Sequence, residues 1–320
     1  MTEPALIEVN GIRLRTWTLG DGPLVILVHG FPETAHSWRH QVAALSAAGY
    51  RVAAPDVRGY GGSDAPEPVE AYAMEEMTRD FADLATALSP DPAVIVGHDW
   101  GAPLAWNTAR LFPERFRAVA GLSVPYAPPG DHAPIDIYHK LFTEKDRFFY
   151  QVYFQDEGVA EAELEADPED SLVKFYYAWS GDAPEHGWPT DKKHGDKVLT
   201  GLTRPDLPLS WFTQEDLDAY AAAFEVSGFR GPLNRYRNHR RDHDFLKAHP
   251  SNPIIQQPSL FIYGDRDPVL TMFRTPPEKL LPATLADLRG VHRLPGIGHW
   301  TQQEAPETVN RLLIDWLRAL

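Results

Sequence analysis

The chain has 320 residues, 43% of them hydrophobic, which suits one large α/β domain or a core with a smaller domain inserted, and excludes global disorder. A formal net charge of -15 argues against nucleic acid and against an anionic membrane surface as partners. The absence of cysteine removes disulfides, thiolate catalysis and cysteine metal sites; it leaves the compartment open, with cytoplasm as the default.

Near the amino terminus, Glu3 and Glu8 and the lack of an apolar h-region speak against a targeting segment, and the longest aliphatic run, 24–28, is too short to span a membrane. Stretches 7–9 and 12–17 flank Asn10-Gly11, the dipeptide that supplies the positive backbone angles of a two-residue hairpin. Alternating units follow: strand 24–28, helix 38–48 stopped by Gly49, strand 51–54, helix 74–88, strand 93–96, helix 102–112 and strand 118–123. This alternation predicts a mostly parallel sheet flanked by helices.

After Pro125 the sequence turns aromatic, acidic and proline-punctuated as far as Pro253, which reads as an inserted, mainly α-helical cap. Helices are expected at 145–154 and at 214–226, the second opened by Thr213 and closed by Gly228. Between them, 181–208 is rich in Pro, Gly and charge and reads as a long mobile loop rather than packed structure. The alternating pattern returns with strand 259–263, a helical stretch near 278–281, strand 291–294 and a closing helix 306–320. The expected organisation is a core in two parts, 1–125 and 254–320, around a cap at 126–253.

Gly97-His98-Asp99-Trp100-Gly101 follows the apolar run 93–96, the strand, sharp turn and helix of a nucleophile elbow with aspartate at its tip. The same aspartate would also suit a helix cap. As a nucleophile, a carboxylate that displaces a leaving group from saturated carbon becomes an ester, which water can cleave; a serine would be left as an inert ether. Functional residues of open α/β sheets follow strands directly. Here strand ends lead into His29-Gly30-Phe31-Pro32, Asp99, Gly264-Asp265-Arg266-Asp267 and Gly298-His299-Trp300, so nucleophile, acid and histidine occur in triad order. His299 would take a proton from water, and Asp267 would orient its ring, with Asp265 as a rival that otherwise caps the turn. The amides of Phe31 and Trp100 would form an oxyanion hole, and a cis proline at Pro32 is compatible with that.

His29-Gly30-Phe31-Pro32-Glu33, Asp56-Val57-Arg58-Gly59-Tyr60-Gly61, the elbow and Gly298-His299-Trp300-Thr301-Gln302 together resemble the epoxide hydrolases of the α/β-hydrolase superfamily, over about residues 7–316. The stretches 150–155 with 158–165, and 227–237, resemble the segments that carry that family's catalytic tyrosines, which fall on Tyr150 and Tyr236. Without the resemblance, Phe148, Phe149, Tyr150, Tyr153 and Phe154 would read as an apolar helix face. A phenol suits this chemistry independently, since the alkoxide released by an opening oxirane is far more basic than a phenolate.

The resemblance implies a small, largely apolar epoxide as substrate, a pocket walled by Phe31, Trp100 and Trp300, neither cofactor nor metal, and leaves room for a homodimer. Rival readings are a haloalkane or haloacid dehalogenase, against which stands Phe31 where a halide-binding asparagine is common, and a non-catalytic small-ligand receptor on the same fold. Arg235, where many relatives carry an aromatic residue, and the length of 181–208 depart from the family pattern. His239, Asp242, His243 and Asp244, set among Arg237, Arg240 and Arg241, fit a charged surface better than a metal site, and Gly59-Tyr60-Gly61-Gly62 lacks the spacing of a dinucleotide fingerprint.

Overall fold

Asn10 and Gly11 both take positive φ, 40° and 74°, and turn β1 (Ala5–Val9) back on β2 (Ile12–Leu19) as an antiparallel pair. The structure, a computed structural model, describes residues 3–184, 187–273 and 275–320. The chain then alternates through β3 (Leu24–Val28), α1 (Arg39–Ala47), β4 (Arg51–Pro55), α2 (Met74–Leu88), β5 (Ala93–His98), α3 (Gly101–Leu111) and β6 (Phe116–Leu122). Among the described residues seven α-helices follow before the sheet resumes: α4 (Pro134–Leu141), α5 (Tyr150–Tyr153), α6 (Val159–Leu164), α7 (Pro168–Ala178), α8 (Gln214–Ser227), α9 (Arg230–Asn234) and α10 (His239–Ala248). β7 (Ile255–Gly264), α11 (Pro277–Leu280), β8 (Leu285–Leu294), α12 (Thr301–Glu304) and α13 (Pro306–Arg318) complete it.

Among the described residues the strands form one 8-stranded sheet in the order β1-β2-β4-β3-β5-β6-β7-β8, antiparallel only where β2 meets β1 and β4. Every residue of β3 and β5 is buried, as a strand covered on both faces requires. On one face Phe81 of α2 and Trp106 of α3 pack on Ile26 and Ile95; on the other, Val42 of α1 and Leu313 and Trp316 of α13 pack around Val25 and Val94. Each such aliphatic side chain contributes roughly 1.5–3 kcal/mol on burial, so the central strands are the rigid floor from which the turns after β3, β5, β7 and β8 project.

The insert departs from expectation in two places. A continuous helix over 145–154 does not form: Thr143–Lys145 is a 3-10 turn, Asp146 takes a left-handed φ of 52°, and only α5 is helical. Phe148 and Phe149 are buried from an extended lead-in instead of lining a helix face. Residues 181–208 hold neither helix nor strand among those described, but the stretch is packed. Ala183, Val198 and Leu202 are buried, and the Val198 and Leu199 amides donate to Glu163 at 3.0 and 2.9 Å. The charged-surface reading of 237–244 also fails in part. α10 turns His239 and Asp242 inward, and Arg237 is bound to Glu161 at 2.7 Å.

Candidate active site

The strand-to-helix turn after β5 leaves no room for side chains two residues before and two residues after the nucleophile. A Cβ on Gly97 would lie 1.9 Å from the Gly101 oxygen, and one on Gly101 would lie 2.0 Å from the Val28 oxygen. Asp99 itself is held at φ 51°, a left-handed conformation that costs on the order of 1–3 kcal/mol and that the surrounding structure must enforce. The turn sets Asp99 between the last residue of β5 and the start of α3.

Asp99 Oδ1 accepts the Phe31 amide at 2.8 Å, and Oδ2 faces His299 Nε2 at 3.2 Å. His299 Nδ1 faces Asp267 Oδ2 at 2.9 Å, while Asp267 Oδ1 accepts the Val269 amide at 2.8 Å. The three side chains come from the turns after β5, β7 and β8, and all are buried. Burial alone would raise the Asp99 carboxyl, but His299, His98 and the Phe31 amide outweigh it and hold it below the usual range. For His299, burial lowers the ring and the Asp267 and Asp99 carboxylates overcome that, pushing it up to about 10. Asp265 serves its turn: it accepts the Gly296 amide at 2.8 Å and faces Arg293 at 3.2 Å, away from His299.

Tyr150 and Tyr236 are buried with ring centroids 6.0 Å apart. Burial, then the Asp99 charge, pushes both phenols well above their ordinary value, so both stay protonated. The Gln151 amide donates to the Tyr150 oxygen at 2.8 Å, and the Trp100 ring stands edge-on to that of Tyr236. Among the described residues neither phenol donates to a protein acceptor, which leaves both O–H groups for a bound oxygen.

The Phe31–Pro32 bond is cis. Phe31 packs edge-on against Tyr236 at 5.5 Å and Phe154 at 5.6 Å, and Trp100 against Tyr236 at 5.3 Å. Trp300 is fully enclosed behind His299, its indole donating to the Tyr176 carbonyl at 2.7 Å. A cavity of about 780 Å³ opens beside Tyr150 and Asp267, walled by Phe148, Phe149, Trp179 and Trp188. Phe31, Trp100 and Trp300 do not line that cavity; Trp179, which sequence reasoning missed, does, with its ring 5.1 Å from that of His299. Also missed was a fully enclosed pair behind the nucleophile, His98 and Glu33, although both stand inside motifs quoted above. Among the described residues no three His, Asp or Glu side chains gather as a metal set would, and no helix is long and apolar enough to cross a membrane.

The alpha/beta hydrolase fold family matches residues 23–306. Epoxide hydrolase A of Mycobacterium tuberculosis is 41% identical over 318 residues, covering 98% of this chain and 97% of the relative. Among solved structures, an epoxide hydrolase from an endophytic Streptomyces superposes with a TM-score of 0.94 at 46% identity, over 99% of this chain and 96% of that one. Epoxide Hydrolase A from Mycobacterium thermoresistibile does so with a TM-score of 0.91 at 43% identity, over 98% of each. The chain belongs to the α/β-hydrolase family and, within it, to the epoxide hydrolases.

Proposed function

We propose that this protein hydrolyses small, largely apolar epoxides to vicinal diols in two steps. In the first, an oxygen of the Asp99 carboxylate attacks a ring carbon, the C–O bond of the oxirane breaks, and Tyr150 or Tyr236 gives its proton to the departing alkoxide, a downhill transfer from a neutral phenol. In the second, His299, steadied by Asp267, takes a proton from water, which attacks the ester carbonyl while the Phe31 and Trp100 amides receive the developing oxyanion; the oxyanion then collapses, the acyl C–O bond breaks, the diol oxygen leaves with the proton from His299, and the new Asp99 carboxyl returns its proton to the phenolate. Esterification removes the charge of Asp99, one of the two carboxylates that hold the His299 proton, and so releases the ring to act as base.

The observation that carries this reading is the pair of buried phenols with unengaged O–H groups beside an elbow carboxylate. A halide leaving group needs no proton, and Phe31 has no side-chain donor for one, so haloalkane or haloacid dehalogenation fits less well. A receptor has no use for a base aligned on the nucleophile. Residues 126–253 act in this reading as a lid over the site, and cytoplasm and a homodimer are the compartment and assembly it assumes. The test is mass spectrometry of His299→Gln mixed with styrene oxide: a slowly decaying adduct on the peptide containing Asp99 is expected, and its absence refutes the covalent step. A parallel assay against a haloalkane separates the two leaving groups.

A further inference from the structure

The loop that carries His299 is bound to the insert through main-chain contacts that the catalytic scheme leaves unused. The His299 amide donates to the Trp179 carbonyl at 2.8 Å. Glu304, the last residue of α12, gathers amides from both sides of this junction. Its Oε2 accepts Gly181 at 2.8 Å and Gly298 at 2.9 Å, and its Oε1 accepts Trp300 at 3.0 Å. Gly298 and Trp300 are the two neighbours of His299, while Gly181 belongs to the insert.

The chains meet with no space between them. A Cβ on Gly298 would stand 2.3 Å from the Ser180 carbonyl carbon, and one on Gly181 would stand 2.2 Å from the Gly296 oxygen. Arg266, beside the triad acid, holds the same segment by donating to the carbonyls of Gly181 and Ala183. Among the described residues no cation pairs with Glu304; enclosure raises its carboxyl, the amides oppose that, and Asp267 repels it. Such a carboxylate is poorly explained as an ion-pair partner and well explained as a clamp on amide donors.

We propose that Glu304 is a positioning residue, whose carboxylate ties residues 179–181 of the insert to both flanks of His299 and thereby sets the aim of the catalytic base. This rests on the two-step reading above. Ester formation needs Asp99 and the phenols, none of which Glu304 touches; ester hydrolysis needs His299 within tenths of an ångström of its working position. The clamp therefore acts on the second step.

The experiment is single-turnover quench of styrene oxide with excess enzyme, following adduct formation and decay by intact mass for wild type, Glu304→Gln, Gly181→Ala and His299→Gln. Glutamine opposes its own NH2 to an amide donor, and alanine at Gly181 pushes the insert off Gly296, so the two variants loosen the junction from opposite sides. Both are expected to slow adduct decay by about tenfold to a hundredfold, as misplaced catalytic groups do, while adduct formation stays near wild type. Equal slowing of both phases, or decay as fast as wild type in folded Glu304→Gln, overturns the clamp. If His299→Gln traps no adduct, the covalent reading fails first and takes this inference with it.

Discussion

Glu33 and His98 face each other at 2.7 Å, fully enclosed, directly behind the nucleophile. The other ring nitrogen of His98 meets the His299 carbonyl at 2.8 Å, and since a carbonyl only accepts, that nitrogen carries a proton. Glu33 in turn accepts the Gly30 amide at 2.9 Å and the Gln302 side chain at 2.8 Å. Glu33 thus satisfies donors from three separate segments inside the enclosed space behind Asp99. Glu33→Gln turns an NH2 toward a donor and leaves an enclosed polar group without its acceptor, a loss of about 1–3 kcal/mol. Urea unfolding measures it, and a wild-type midpoint would mean the pair holds nothing.

The phenols lead to a second expectation. General acids contribute about 10²–10⁴-fold, and two phenols that share one leaving oxygen should partly cover for each other. Tyr150→Phe or Tyr236→Phe should each slow ester formation by about a hundredfold at the low end of that range, and the double variant should lose nearly all turnover. Pre-steady-state quench separates this from binding. Retained activity in the double variant would move the acid elsewhere.

What could be read from the chain follows from how locally each feature is determined. β3 and α2 form over the expected residues because an uninterrupted aliphatic run and a strongly amphipathic stretch decide their own structure. The aromatic stretch before Tyr150 does not, since whether Phe148 and Phe149 lie on a helix or an extended lead-in depends on neighbours distant in sequence. The same limit hid the inward face of α10: Arg240 and Arg241 look outward and dominate the composition, while Asp242 is bound to Arg235, which also lies 4.6 Å over the Trp100 ring. Asp99, His299 and the acid loop were legible because each follows a strand directly; Glu33, Trp179 and Glu304 depend on turns meeting in space.

The elbow offers a purely steric prediction. With 1.9 Å between a Cβ at Gly97 and the Gly101 oxygen, Gly97→Ala cannot be absorbed by a side-chain rotation, because the obstacle is main chain. The expected loss exceeds about 4 kcal/mol, the region reserved for such clashes, and appears as a collapse of thermal stability. A melting temperature near wild type would show that the turn can open to admit a methyl group.

The last expectation is about pH, and its sign is set by two carboxylates. In the resting protein burial lowers His299, but Asp267 and Asp99 raise it from its ordinary 6.5 to about 10, so its contribution to stability is whole below pH 6.5 and fades as pH climbs toward 10. Turnover runs in the opposite direction. Once Asp99 is esterified, only Asp267 still supports the proton, so the ring titrates lower in the intermediate, and acidification protonates the base that hydrolysis needs. Ester formation is spared, because the Asp99 carboxyl lies below the usual range and stays ionised. Acidification from neutral pH should therefore raise the steady-state fraction of adduct, and Asp267→Asn, by removing the remaining charge, should shift that rise to lower pH while slowing hydrolysis through loss of ring orientation. An adduct fraction that does not change with pH would show that proton removal by His299 does not limit the second step.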